Sequence, residues 1–281
     1  MSLIILHEKS AHWYRADKET HVISPFHEVP CKSRPGEMRS TTIKDARSTP
    51  GAMVSVSTIM KVKAKPALDD WKIKQALMAA MTITRLPGEG DEAYVDRILA
   101  DMDAESKIAR EKGTAVHDVV EMYLLAMKKE NYAGWDVGAN KEALSLAAPC
   151  LDSIDNEVEE IYGVEAVVGN PALGYAGRLD LHCKMRGIGE AVVDFKTQKV
   201  KRDKKGVPKP TFYWEWGKQL AAYAHCDHSG YQGKSLVSII IDTTEPGPVF
   251  IHRWPDPVRE WKMFCNLLEI WKDENEWSPM P

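Results

Sequence analysis

No C-x-x-C pair, no phosphate-binding P-loop, no internal repeat and no apolar run of membrane-spanning length occurs in this 281-residue chain. Each absence closes off a class. Cys31, Cys150, Cys183, Cys226 and Cys265 are scattered and odd in number, so they suggest neither a disulfide framework nor a zinc module. They point instead to reduced thiols in a cytoplasm-like compartment. The opening MSLIILHEKS is too short for a secretory signal, and no stretch approaches the roughly 20 apolar residues of a transmembrane helix. Without a P-loop the chain carries no built-in ATP motor. It also lacks an excess of positive charge, its 37 Lys and Arg being outnumbered by 41 Asp and Glu for a net charge of −4. That balance does not announce a nucleic-acid binder. Net charge describes the whole surface, however, and a local basic strip can still steer a polyanion.

What is present is ample for a core: 44% apolar residues and nine Trp, enough for one large domain or one domain with an appended lobe. The most informative stretch is 174–198, GYAGRLDLHCKMRGIGEAVVDFKTQ. Residues 175–185 and 190–197 alternate or run apolar on either side of Arg186-Gly187-Ile188-Gly189, the pattern of a β-hairpin. A loop of three or five residues sets Asp180 opposite Asp194 and Arg178 opposite Lys196, all on one face. Directly opposed side chains have Cβ atoms about 4.5–5.5 Å apart, where like charges destabilise. Asp and Lys on a hairpin are ordinarily a solvated face. Here Asp194 and Lys196 end the run Ala191-Val192-Val193, which is written like a buried strand. Two carboxylates so placed ask for a cation, and a nearby lysine can meet a phosphate. Asp180, Asp194 and Lys196 are therefore candidates for a divalent-metal site acting on a phosphate ester.

GRLD followed by VVDFKT resembles the signature of the PD-(D/E)XK nuclease superfamily, in its RecB-like branch. Further matches stand in the order of that branch: Gly113-Thr114-Ala115-Val116-His117 continuing to Glu121, then Glu165, then Gln219-Leu220-Ala221-Ala222-Tyr223 as a Q-x-x-x-Y element. Together they span about 110 of the 281 residues. The resemblance implies an α/β fold with a PD-(D/E)XK core, a central mixed sheet flanked by helices and an N-terminal helical lobe. It implies metal-dependent hydrolysis of DNA phosphodiesters. It assigns His117, Asp180, Asp194 and the backbone carbonyl of Phe195 to Mg²⁺ or Mn²⁺, with Glu121 and Glu165 behind them or on a second ion. Lys196 would orient or activate water, and Gln219 and Tyr223 would position the DNA backbone. His117 and Glu121 are four apart and share a helical face, as do Gln219 and Tyr223. A neutral imidazole suits the ligand role. Cluster-bearing relatives use a C-terminal cysteine triplet that this chain lacks, so no iron–sulfur cluster is expected.

Residues 54–71, VSVSTIM…LDDW, are similar to a segment of phage exonucleases and of the mitochondrial genome maintenance exonuclease, with Val54 where that group has proline. This makes Ser55, Ser57 and Trp71 candidate DNA contacts. The plainer expectation is a serine cap and a core helix over 67–81 carrying Leu68, Trp71, Leu77, Met78 and Met81. Residues 199–209 hold six positive charges and one negative, and lead into Phe212-Tyr213-Trp214-Glu215-Trp216. A charge run alone is ordinarily solvated surface; beside aromatics it offers phosphate neutralisation and base stacking. Lys199, Lys201, Arg202, Lys204, Lys205, Trp214 and Trp216, with Arg178, complete the expected nucleic-acid contacts. His7, His12, His21, His27 and Cys31 lack the spacing of a zinc module and are taken for hairpin or surface residues.

The remaining pattern predicts an opening hairpin from 12–15 and 21–23, a loop or insertion over 30–50, and a turn at 85–90. Helices are expected over 91–102, 106–129 and 141–161, the last bent at Pro149. Strands follow at 163–168, 235–242 and 248–254. Asp256-Pro257 then opens a helix to about 272 with Trp261, Phe264, Leu267, Leu268 and Trp271 on its apolar face. The expected division is 1–104 for the N-terminal hairpin and helical lobe along the substrate path, and 105–281 for the nuclease core. The expected activity is exonucleolytic, on the ends of single-stranded DNA, in the cytoplasm of a bacterium or phage-infected cell. Alternatives are a double-strand exonuclease of the phage recombination type, a RecB-like nuclease of CRISPR adaptation or of recombination helicase-nucleases, and a DNA-binding module that does not cut. No membrane partner is expected, and the sequence does not set an oligomeric state.

Overall fold

A computed structural model describes residues 12–17, 19–63, 66–128, 140–226 and 233–280, without the side chains of 66–68 and 102–106. His7, the side chain of Leu68 and the expected helix end at Lys129 lie outside the described residues. The opening hairpin forms as β1 (Trp13–Ala16) and β2 (Ile23–Pro25), its turn closed by the Asp17 carboxylate, which accepts the backbone N–H of Thr20 at 2.7 Å. The span expected as loop, 30–50, begins at the last residue of β3 (Glu28–Pro30) and holds its partner β4 (Met38–Ser40) and α1 (Ile43–Arg47). Asp45 pins this unit by accepting from both terminal nitrogens of Arg39 at 2.7 Å. β5 (Ala52–Ser55) is buried throughout and turns into α2 (Val56–Ile59), because the Ser55 hydroxyl accepts the Thr58 N–H at 3.1 Å and caps the new helix.

Two helical expectations need correction. α3 (Pro66–Thr82) is not a core helix: Trp71 is 44% exposed and Met81 82%, with Leu77 and Met78 also exposed. Its apolar residues are spread around the helix rather than gathered on one face, Ile73 is exposed as well, and the smaller Ala79 is the side chain it buries among the described residues. The two helices expected at 91–102 and 106–129 are one, α4 (Asp91–Met127), about 55 Å long at 1.5 Å per residue. Residues 103–112, DAESKIAREK, which span the expected break, are rich in the good helix formers Ala, Glu, Lys and Arg, and neither Pro nor Gly interrupts them before Gly113. The expected division at 104 falls inside this helix.

α5 (Lys141–Glu157) carries Pro149 within it and ends where the β-branched Val158 and Ile161 begin the long strand β6 (Val158–Asn170). Then come β7 (Tyr175–Met185), β8 (Gly189–Gln198), the short ribbon β9 (Lys201–Arg202) with β10 (Pro208–Lys209), and α6 (Trp214–Ala224). β11 (Ser235–Asp242), β12 (Phe250–Arg253) and α7 (Pro257–Glu274) complete the chain, α7 capped as expected by Asp256 accepting the Arg259 N–H at 2.9 Å.

The main sheet runs β12-β11-β8-β7-β5-β1-β2, with β6 on the other edge of β7. It is mixed: β8–β11 and β5–β7 are parallel and the other pairs antiparallel. Its central strands are buried on both faces, which explains their unbroken apolar runs. On β8, Ala191, Val193 and Phe195 pack with Val116, Val120 and Leu124 of α4 and Leu146 and Ile154 of α5. Val192 packs on the other side with Leu220 of α6 and Phe264 and Leu268 of α7. The chain is thus α/β, a large mixed sheet between helices, and the N-terminal hairpin belongs to that sheet. Among the described residues no helix is long and apolar enough to cross a membrane.

One edge of β7 is shared. β8 pairs with 181–185 and β5 with Tyr175 and Ala176, so residues 177–180 lie in a fork between the two neighbours.

Candidate active site

The hairpin loop is Arg186-Gly187-Ile188, three residues, with Met185 paired to Gly189 and Gly187 at φ 68°. That length fixes the register, Leu181 facing Val193 as the last pair, and continued past that pair the same register would bring Asp180 against Asp194 and Arg178 against Lys196. The ladder stops at Leu181–Val193. Beyond it the Asp180 carboxylate accepts the Phe195 N–H at 2.8 Å, taking over where the strands part.

On the other edge of β7, Val164 faces Leu181 and Ala166 faces Leu179, which puts Glu165 opposite Asp180. Glu165, Asp180 and Asp194 therefore form one row of carboxylates across three adjacent strands. Glu165 adopts φ 47°, a left-handed conformation that a residue with a side chain takes at a cost of about 1–3 kcal/mol. Its carboxylate is held by Arg178 at 2.7 Å.

α4 reaches the row because Gly113 has no side chain: a Cβ there would stand 2.7 Å from the Thr197 hydroxyl on β8. One turn later His117 faces the fork, and Glu121 follows one turn beyond. A cleft of about 690 Å³ is walled by His117, Glu121, Glu165, Arg178, Asp180, Gln219, Tyr223, Ser55 and Ser57 among others. Asp194 and Lys196 are not among its described lining. Asp194 is 2% exposed; its Oδ1 accepts from Lys196 Nζ at 2.7 Å, and its buried Oδ2 has no hydrogen-bond partner among the described residues.

The charges strain against one another. Burial, then Asp180, pushes Glu165 up to about 8 against the pull of Arg178, with Glu121 and Asp118 adding to the rise. Burial likewise pushes Asp194 up to about 6, Asp180 adding and Lys196 opposing. Asp180 is raised by burial despite Lys196 and the Phe195 N–H. Burial, then Lys196, lowers His117 and favours the neutral imidazole. Burial works against the charge on Lys196, but Asp194 and Asp180 outweigh it and keep the ammonium protonated. A crowd of carboxylates in a low-dielectric fork is relieved by a cation. The oxygen donors, the neutral imidazole and the unpartnered Asp194 Oδ2 fit a hard divalent ion. Among the described residues no three such side chains already stand as a ready metal cage. Lys196 engages Asp194 Oδ1, and the Phe195 N–H engages the Asp180 carboxylate.

On α6, Gln219 donates its amide to the Tyr223 phenol at 3.1 Å. The aromatic and basic segments are divided. Trp216 lies 5.8 Å from the Lys196 ammonium, next to the row. Trp214 instead carries Lys63 at 3.7 Å and Lys218 at 4.4 Å over its ring. Arg202 is committed to Asp242 at 3.4 Å and to Glu245, whereas Lys199, Lys201, Lys204 and Lys205 are exposed. Trp71 is not in the described lining of the cleft. Ser55 lines it while serving as a helix cap. If the ribbon touches phosphates, changing Lys201, Lys204 and Lys205 together to Gln lowers the salt slope of DNA binding by about 0.7 per lost contact, as anisotropy titrations at several salt concentrations would show. An unchanged slope would make the ribbon ordinary solvated surface.

Asp118, Arg110, Thr114 and Thr197 also line the cleft; sequence reasoning assigns none of them a role, although Thr114 and Thr197 lie inside the matched motifs. The signal existed: 110, 114, 117, 118 and 121 share one stripe of a helix. Compared with family models and with curated proteins, the chain matches none.

Proposed function

We propose that the chain is a Mg²⁺- or Mn²⁺-dependent deoxyribonuclease that hydrolyses phosphodiesters from the ends of single-stranded DNA. The observation that carries this reading is the carboxylate row Glu165–Asp180–Asp194 with Lys196 beside it and one buried carboxylate oxygen, Asp194 Oδ2, unpartnered among the described residues. The motif order that resembles the RecB-like branch of the PD-(D/E)XK nucleases supports it and supplies the finer fold assignment.

Asp180, Asp194 and His117 would hold the ion, with the Phe195 carbonyl, and Glu121 and Glu165 would act behind them or on a second ion. A bound divalent ion polarises a phosphoryl oxygen and lowers the pKa of its water. The chain's own groups do the rest. Lys196, kept charged by its two carboxylates, faces the charge that grows on the phosphate and orients the attacking water. Burial keeps the Tyr223 phenol protonated, so it donates to the DNA backbone while Gln219 holds it in place. Trp216 and the lysines after β8 give bases and phosphates a sequence-tolerant surface.

The deciding assay incubates end-labelled single- and double-stranded DNA with Mg²⁺, Mn²⁺ or chelator. Chelator-sensitive loss of single strand supports the proposal; no cleavage in either metal would leave a DNA-binding module. A circular single strand is expected to resist conditions that degrade its linear form. Equal rates on circle and line would mean an endonuclease, and faster loss of blunt duplex would favour the phage recombination type.

A further inference from the structure

The cleft at the fork continues along α4. Arg110, Thr114 and Asp118 line it and also line a second, shallower hollow of about 470 Å³, completed by Lys107, Glu111 and Ala115. All six lie on α4 at spacings of three and four, so one helix face leads out of the site. At 1.5 Å per residue, Arg110 is about 10 Å and Lys107 about 15 Å along the axis from His117. Arg110 and Arg178 both stand on the cleft wall, Arg178 in an ion pair with Glu165 at 2.7 Å at the row itself and Arg110 farther out on α4. Lys107 is 70% exposed and meets Glu111 at 3.8 Å, an exposed pair that a phosphate can displace. Asp118, at the inner end, stands with the acids around Glu165, so the outer two turns carry Lys107 and Arg110 with the acid Glu111 of the hollow beside them.

We propose that this face of α4 is a phosphate track, on which Arg110 and Lys107 bind successive phosphates of a single-stranded polynucleotide leaving the cleft, with the Thr114 hydroxyl as a further donor. The direction of the track rests on the nuclease reading of the fork; its binding does not. The test is anisotropy of a short labelled oligothymidylate, in chelator, over a range of salt. The Arg110→Gln/Lys107→Gln variant is expected to bind about 10-fold more weakly at low salt, and its slope to fall by about 1.4, at 0.7 per single-strand phosphate contact. Lys107→Gln alone, at an exposed position, gives half that change in slope. Lys262→Gln, on α7 across the sheet from α4, leaves the slope where it was. An unchanged slope in the double variant overturns the track, as does an equal fall in Lys262→Gln. Wild-type cleavage in Mn²⁺ is measured alongside. A lost slope without any cleavage sinks the nuclease reading and keeps the track; cleavage with an unchanged slope sinks the track alone.

Discussion

Asp194→Asn is expected to lose at least about 10³-fold in cleavage of linear single-stranded DNA while remaining folded, since an ion that stabilises the transition state by several kcal/mol is lost and each 1.36 kcal/mol is tenfold. The fold tolerates the change for a separate reason. Asp194 is buried, one oxygen on Lys196 and the other unpartnered among the described residues, so its charge is a burden on folding. Asn has the same shape without that charge: it removes the desolvation penalty and weakens the contact with Lys196. These effects offset, and the thermal midpoint should move by only a few degrees. Lys196→Ala also removes turnover but separates from it in stability, because it leaves a buried carboxylate without its cation; breaking a buried pair costs about 3–5 kcal/mol. Single-turnover cleavage, Mn²⁺ titration calorimetry and thermal melts read the three quantities. An Asp194→Asn protein with wild-type rate would sink the proposed function.

The hairpin that carries this prediction was legible because a strand repeats every two residues and the loop length sets the register, so GRLD and VVDFKT place Asp180 and Asp194 without further information. Glu165 was legible as a residue but not as a geometry. Nothing in Gly163-Val164-Glu165 signals a left-handed φ at a glutamate, which depends on the register β6 must keep against β7. The continuity of α4 was missed because a polar, charged segment looks alike as a linker and as an exposed helix. α3 shows the complementary limit: apolar residues recur along it without gathering on one face, and Trp71, Leu77 and Met81 stand exposed. Arg202 could not be separated from its basic neighbours, since Asp242 and Glu245, which hold it, are 40 or more residues away.

Gly177 explains why the conspicuous GRLD segment begins with glycine, and one added methyl there is expected to cut turnover about 100-fold. Gly177 is not among the positive-φ residues, so its backbone does not demand glycine. The demand is steric: a Cβ at 177 would stand 2.7 Å from Cε1 of Tyr223 and 3.3 Å from its hydroxyl. Tyr223, on α6, is itself buried in the core, which leaves the ring little room to swing away. In Gly177→Ala the ring must shift, and the phenol that Gln219 holds at 3.1 Å shifts with it. Such overpacking costs about 1–3 kcal/mol of stability. Its larger effect is on positioning, where a displacement of about 1 Å can cost 10²-fold in rate. Mn²⁺ affinity should be unchanged, because Asp180, Asp194 and His117 are untouched; kcat should fall and KM for DNA rise. Tyr223→Ala should show the same kinetic loss, and adding Gly177→Ala to it should cost little more, since the clash no longer has a ring to displace. Full additivity of the two changes, or a wild-type rate in Gly177→Ala, would remove Tyr223 from the machinery that positions the DNA.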